Sequence, residues 1–144
     1  MIETFIKLFS RDLEALSVEV NEYSDEKQLW HIEKNIKNSA GTLTLHICGN
    51  LQHFIGATLG NTGFVRDRES EFIKKVSRTE LLSEIEKTKS IVINTLNNLP
   101  HYRLKDNFPL DVFGHEMTIE FFLMHLHGHL TYHLGQINYH RRLL

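Results

Sequence analysis

Two histidines one helical turn apart, His129 and His133, stand in the run His129-Leu130-Thr131-Tyr132-His133-Leu134-Gly135-Gln136-Ile137. Residues four apart on a helix share a face, so both imidazoles aim at one point and can chelate one divalent ion. The chain holds ten histidines, six of them between His115 and His140. At about 100° per residue, His125, His129 and His133 fall in one stripe, His127 points well off it, and His140 returns close to it. A lone histidine on an apolar face is usually a hydrogen-bonded core residue. A stripe is different, because several neutral imidazoles need buried partners at once, and one metal satisfies them together. Spacing alone leaves the pairs His125/His129 and His129/His133 equal.

The elements that position these residues read as helices. Ile2, Phe5, Ile6, Phe9, Leu13 and Leu16 recur at helical spacing, and the polar run Asn21 to Lys27 ends that helix. Asn38 or Ser39 caps a second helix with Leu43, Ile47, Leu51 and Phe54 or Ile55 on its apolar face, closed by Gly60-Asn61-Thr62-Gly63. Ser77 and Glu80 have capping-box spacing before a third helix carrying Leu81, Ile85, Val92, Leu96 and Leu99 up to Pro100. Residues 100–117 read as loop with room for a short hairpin, and Thr118 caps a last helix that runs to about Leu144. Strand signals are scarce. Four amphipathic helices without repeat or linker predict an all-α four-helix bundle, one domain over residues 1–144.

The second helix supplies a third candidate ligand, His46, on a row that should face partly inward. Asn50, one turn on, is placed either to hydrogen-bond a ligand or a metal-bound water, or to bond a neighbouring helix. Gln136, three residues after His133, can orient a ligand or cap a backbone group. Cys48 points away from His46 and reads as a small buried hydrophobe. The run Arg66-Asp67-Arg68-Glu69-Ser70-Glu71 has too few apolar residues for core and reads as a solvated ion-pair network; the sharper alternative makes Arg66 and Arg68 a cationic rim for an anionic substrate. Gly135 reads as permitting close helix approach, Tyr132 as aromatic packing, and Trp30 as the anchor of the first loop.

The stretch His129 to Ile137 resembles the His-x-x-x-His-x-Gly-Gln-Ile signature of the DinB-like superfamily. The superfamily's other landmark is a histidine in the second helix, here His46 in Leu45-His46-Ile47-Cys48-Gly49-Asn50 after Asn38-Ser39-Ala40. Together with Arg66-Asp67-Arg68-Glu69-Ser70-Glu71-Phe72, these blocks are similar to an uncharacterised branch of that superfamily. The resemblance runs from Asn38 to the C-terminus, with Met1 to Gln28 fitting the first helix. It implies an up-down-down-up bundle with a long crossover between the second and third helices. It also implies a divalent metal held by His46, His129 and His133. Better understood relatives are thiol S-transferases and related metal-dependent enzymes, which implies a small-molecule substrate, with a low-molecular-weight thiol as one candidate. Pairing through helix faces into a homodimer is implied as well.

Three imidazoles without carboxylate or thiolate leave coordination positions for water or substrate, as catalytic zinc sites do. Such donors suit zinc or nickel, and also accept ferrous iron or manganese. The expectation is a metal-dependent enzyme, a hydrolase using activated water or a transferase using a bound thiol. The alternative is a non-catalytic metal-binding or stress-response protein, which a fourth ligand such as His53 or His125 would mark. Composition narrows the rest. A chain of 144 residues buries roughly 70% of its unfolded surface. A net charge of -2 offers no basic stripe for nucleic acid. No apolar run approaches the roughly 20 residues of a membrane helix. With one cysteine and no basic, apolar leader at the N-terminus, the chain reads as soluble and cytoplasmic.

Overall fold

Ile2, Phe5, Phe9, Leu13, Leu16 and Val20 recur every three or four residues. In the computed structural model, which describes residues 1–144, they form the buried stripe of α1, Ile2–Glu22. A 3₁₀ turn, Glu26–Trp30, follows. The second helix, α2, spans Ala40–Leu51; the Ser39 hydroxyl caps it by accepting from the Thr42 amide at 3.1 Å. It continues through a π-helical turn, Gln52–Ala57, into Thr58–Gly60, and stops at Asn61, which takes the left-handed conformation with φ 50°.

A short helix, α3, Arg68–Glu71, lies in the connection to α4, Arg78–Asn97, which opens with the capping box of Ser77 and Glu80. The last helix, α5, spans Ile119–Leu143 and is capped by Thr118. Between α4 and α5 the expected short hairpin reduces to one antiparallel bridge, Asn107 with Thr118, after a 3₁₀ turn at His101–Lys105.

Contacts along the long helices fix their directions. Glu3 meets His101 while Asn21 accepts from Arg78, so α1 and α4 run antiparallel. Asp12 meets His127 and Glu19 meets Asn138, so α1 and α5 run parallel. His46 packs on His129 and Phe54 on Phe122, setting α2 against α5. Gln52 donates to Thr88 and Gly60 lies under Thr95, so α2 and α4 are parallel. The result is the up-down-down-up order, and residues 61–77 must travel the length of the bundle to join two parallel helices. Helices α1 and α2 sit diagonally, each packed on both α4 and α5.

One cluster of buried apolar side chains from all four long helices makes the core, extended by Leu104 and Phe108 of the last connection. All twelve residues of α2 are buried, because the crossover and the first loop cover its outer side. Trp30 lies over Gly41, where a Cβ would come within 2.6 Å of the indole ring, so the indole fastens that loop to α2. No helix is long and apolar enough to cross a membrane.

Candidate metal centre

His46 projects from the middle of α2, and His129 and His133 project from successive turns of α5, which runs antiparallel beside it. The His129 Nε2 stands 3.1 Å from His46 Nε2 and 3.1 Å from His133 Nε2. One ligand atom from each histidine lies within 4.8 Å of the other two. His46 is buried, and the other two are half-buried. The rings meet edge to face, with centroids 4.5 to 5.3 Å apart.

Tautomers follow from the outer partners. His46 Nδ1 donates to Glu71 Oε1 at 3.1 Å, and His133 Nδ1 donates to Gln136 Oε1 at 2.7 Å. A proton on each Nδ1 leaves a lone pair on each Nε2, aimed at His129. The His129 Nε2 can carry one proton at most, and so cannot satisfy both neighbours. Ligation of one ion satisfies all three. With metal–nitrogen bonds of about 2.0–2.1 Å, tetrahedral ligands sit about 3.3 Å from one another, close to the 3.1 Å that separates His129 Nε2 from each of the other two. Donor type, tautomer and spacing therefore fit a divalent ion.

Protonation follows the same pattern. Burial, then the neighbouring His133 and His46, pushes the His129 imidazole down to about 3. Burial also lowers His133, against the opposing effect of the hydrogen bond it donates to Gln136. Both are thus held in the neutral form that a ligand requires.

The crossover contributes more than spacing suggested. Glu71 is buried, not part of a solvated charge run. Arg66 grips its carboxylate with two bonds, Nε to Oε2 at 2.8 Å and Nη2 to Oε1 at 3.0 Å. Burial alone would raise the Glu71 carboxyl, but the bonds from His46 and Arg66 outweigh it and hold it below the usual range. Arg66 Nη2 also approaches His46 Nδ1 at 3.4 Å; with Glu71 taking the Nδ1 proton this is proximity, not a hydrogen bond. Gly49, one turn before the π segment, makes room for the carboxylate: a Cβ there would stand 1.9 Å from Glu71 Oε2. Phe72 covers the His46 ring at 5.1 Å. Of the two arginines in the alternative reading of a cationic rim, Arg66 is committed inward to Glu71, while Arg68 lies exposed over Phe72 at 5.2 Å.

Other candidates fall elsewhere. His125 stacks on Phe122 and packs against Phe113, and His53 packs on Phe54, so neither joins the cluster as a fourth ligand. His140 bonds the Tyr23 hydroxyl at 2.6 Å and the His31 carbonyl at 3.0 Å. His127 meets Asp12 at 2.6 Å on the α1 side. The Asn50 side chain is buried and its Oδ1 has no hydrogen-bond partner within the protein, so it makes no interhelical bond there. Cys48 is buried, its thiol pushed up to about 12 by desolvation, and it is inert as a nucleophile. Gly135 does not serve a close helix approach, because nothing lies within 4 Å of where its Cβ would be. Tyr132 is exposed and touches His133 edge-on at 5.3 Å.

The fold is that of a DinB-like helical protein. A crystal structure of a DinB-like protein from Bacillus cereus ATCC 10987 is similar with a TM-score of 0.78 and 18% sequence identity, covering 98% of this chain and 91% of that one. The chain belongs to the family described as "Protein of unknown function (DUF1572)", which matches residues 2–144. No curated protein matches this chain.

Proposed function

We propose that this protein is a metal-dependent enzyme acting on a small molecule, by hydrolysis or by transfer to a low-molecular-weight thiol. The observation that carries this reading is the convergence of three Nε2 atoms, from His46, His129 and His133, with no fourth protein ligand among them. A three-nitrogen set leaves coordination positions free, which is the arrangement of catalytic rather than closed structural sites. A divalent ion, zinc or nickel by donor preference and iron or manganese by tolerance, supplies Lewis acidity to water or a thiol.

The chain's own residues have distinct tasks under this reading. His46, His129 and His133 bind. Glu71 and Gln136 hold two of them by Nδ1, which fixes ring orientation and raises basicity. Arg66 keeps Glu71 ionised and in place. Phe72 shields one side of His46 from water. Asn50, one turn from His46, retains a buried acceptor for a proton of bound water or substrate.

The non-catalytic reading, a metal stapling the bundle, calls for a fourth protein ligand, and His53 and His125 are both engaged with aromatic rings instead. The test is a reaction screen on metal-loaded protein, with ester and amide hydrolysis in one arm and thiols against electrophiles in the other. Turnover lost in His133→Ala supports the proposal. Tight metal binding with no turnover in either arm, while metal removal lowers the melting temperature sharply, supports the structural role instead.

A further inference from the structure

The face of α5 that carries His133 also forms one wall of a groove of about 730 Å³, within the range of small-molecule clefts. Its opposite wall is the segment before α2, with Ile36 and Asn38, and the start of α2 itself, with Leu43. Ile36, Leu143, Tyr132 and Tyr139 make it largely apolar, and His133 and Gln136 also line it. Much of this apolar surface is open: Ile36 is 42% exposed, Tyr139 62% and Leu143 72%. Gly135 lies on the same wall with empty space above it, so its missing side chain widens the groove rather than admitting a helix.

Charge along the groove is one-sided. None of its fourteen lining residues is acidic, while Lys37 is among them. Arg142, outside the lining, lies over the ring of the lining residue Tyr139 at 5.4 Å. His140 is occupied on both nitrogens by Tyr23 and the His31 carbonyl, so it is wall and not a free donor. An apolar trough lined by Lys37 and by no acidic residue, with Arg142 over one of its rings, favours an apolar molecule with one anionic group over a cationic one.

We propose that this groove is a binding cleft for small amphiphilic anions, a short aliphatic or aromatic body carrying one carboxylate-like group, and that it delivers such a molecule to His133. The delivery step rests on the metal-site reading above; the cleft itself does not. A second copy of the chain is the competing occupant. The concave shape, with a candidate ligand in its lining, favours the small molecule.

The probe is octanoate, with octan-1-ol and octylammonium as neutral and cationic counterparts, titrated into metal-free and zinc-loaded protein and followed by backbone amide NMR. Octanoate is expected to shift the amides of Ile36, Tyr132, Gly135 and Tyr139 in both forms, and to bind more tightly than octylammonium. Gly135→Trp fills the open space and is expected to weaken octanoate about tenfold, with melting temperature and zinc stoichiometry unchanged. Lys37→Glu is expected to weaken octanoate by about two- to fivefold, the size of an exposed charge effect, and to leave octan-1-ol unchanged. Octanoate that shifts no groove amide overturns the proposal, as does equal affinity for octanoate and octylammonium. A dimer in sedimentation that Gly135→Trp dissociates, without octanoate binding, assigns the groove to a second copy and also overturns it. Octanoate binding with no zinc binding upholds the cleft and removes the metal-site reading.

Discussion

Removal of Glu71 isolates what the crossover does for the candidate metal centre. In Glu71→Ala the His46 Nδ1 loses its acceptor at 3.1 Å, and the Arg66 guanidinium loses both of its carboxylate bonds. Arg66 is itself half-buried, with 11% side-chain exposure, and its Nη2 already lies 3.4 Å from His46 Nδ1. The unpaired cation then faces an imidazole that must stay neutral and bind another cation. Loss of such an outer-sphere partner costs about 10- to 100-fold in metal affinity, or about 1.4 to 2.7 kcal/mol. With a stranded charge added, Glu71→Ala belongs at the upper end, near 100-fold. Glu71→Gln keeps an acceptor oxygen and drops the charge, so about tenfold is expected. The double variant Arg66→Met/Glu71→Ala removes the stranded charge and should recover part of the loss. Zinc affinity is read by competition with a chromophoric chelator, and folding by circular dichroism on the same samples. A folded Glu71→Ala protein that binds zinc within twofold of the parent refutes the positioning role.

Three further outcomes follow from the same geometry. Gly49→Ala places a methyl 1.9 Å from Glu71 Oε2, in a carboxylate tied on both sides; a loss of about 1–3 kcal/mol in urea unfolding and weaker zinc binding are expected, and unchanged values refute the steric account. Asp12→Ala breaks partly buried bonds to Arg11 and His127 on the far side of α5, so it is expected to cost about 1–2 kcal/mol in urea unfolding with zinc affinity unmoved; a fall in zinc affinity would show that the two faces of α5 are coupled. For metal-free protein, unfolded histidines take up protons near 6.5 but folded His129 only near 3, so the unfolded state binds more protons between those values and stability falls as pH drops through that window. His129→Gln is expected to flatten part of that slope in melting temperature, and parallel slopes for the two proteins refute the assignment.

The helices were legible because their burial is one-sided. Ile2, Phe5, Phe9, Leu13 and Leu16 of α1 mark a core-facing stripe, and Ser39, Ser77 and Thr118 mark starts through short-range capping chemistry. In α2 that signal fades, because residues buried on every side have no polar face to contrast with. The π-helical turn at Gln52–Ala57 left no trace in the spacing of apolar residues.

At the site, one helical turn explains why His129 and His133 converge but equally allowed His125 with His129, and the family resemblance chose between them; His46 was a candidate from its row on the second helix, and the resemblance joined it to that pair. Glu71 was missed for a physical reason. A carboxylate in a charged run resembles a solvated one, and its burial depends on a partner 25 residues away. The one nearby hint was Gly49, three residues after His46, whose lack of a side chain accommodates that carboxylate. Gly135 was misread because a glycine on a helix can mark either a close neighbour or an empty cleft, and spacing does not distinguish them.

Zinc K-edge X-ray absorption on zinc-loaded wild-type protein tests the central claim most directly. One zinc per chain is predicted, with three imidazole nitrogens at about 2.0–2.1 Å and the remaining scattering from oxygen. A sulfur scatterer, fewer than two imidazoles, or protein that retains no stoichiometric zinc would contradict the assignment of His46, His129 and His133 as an open metal centre.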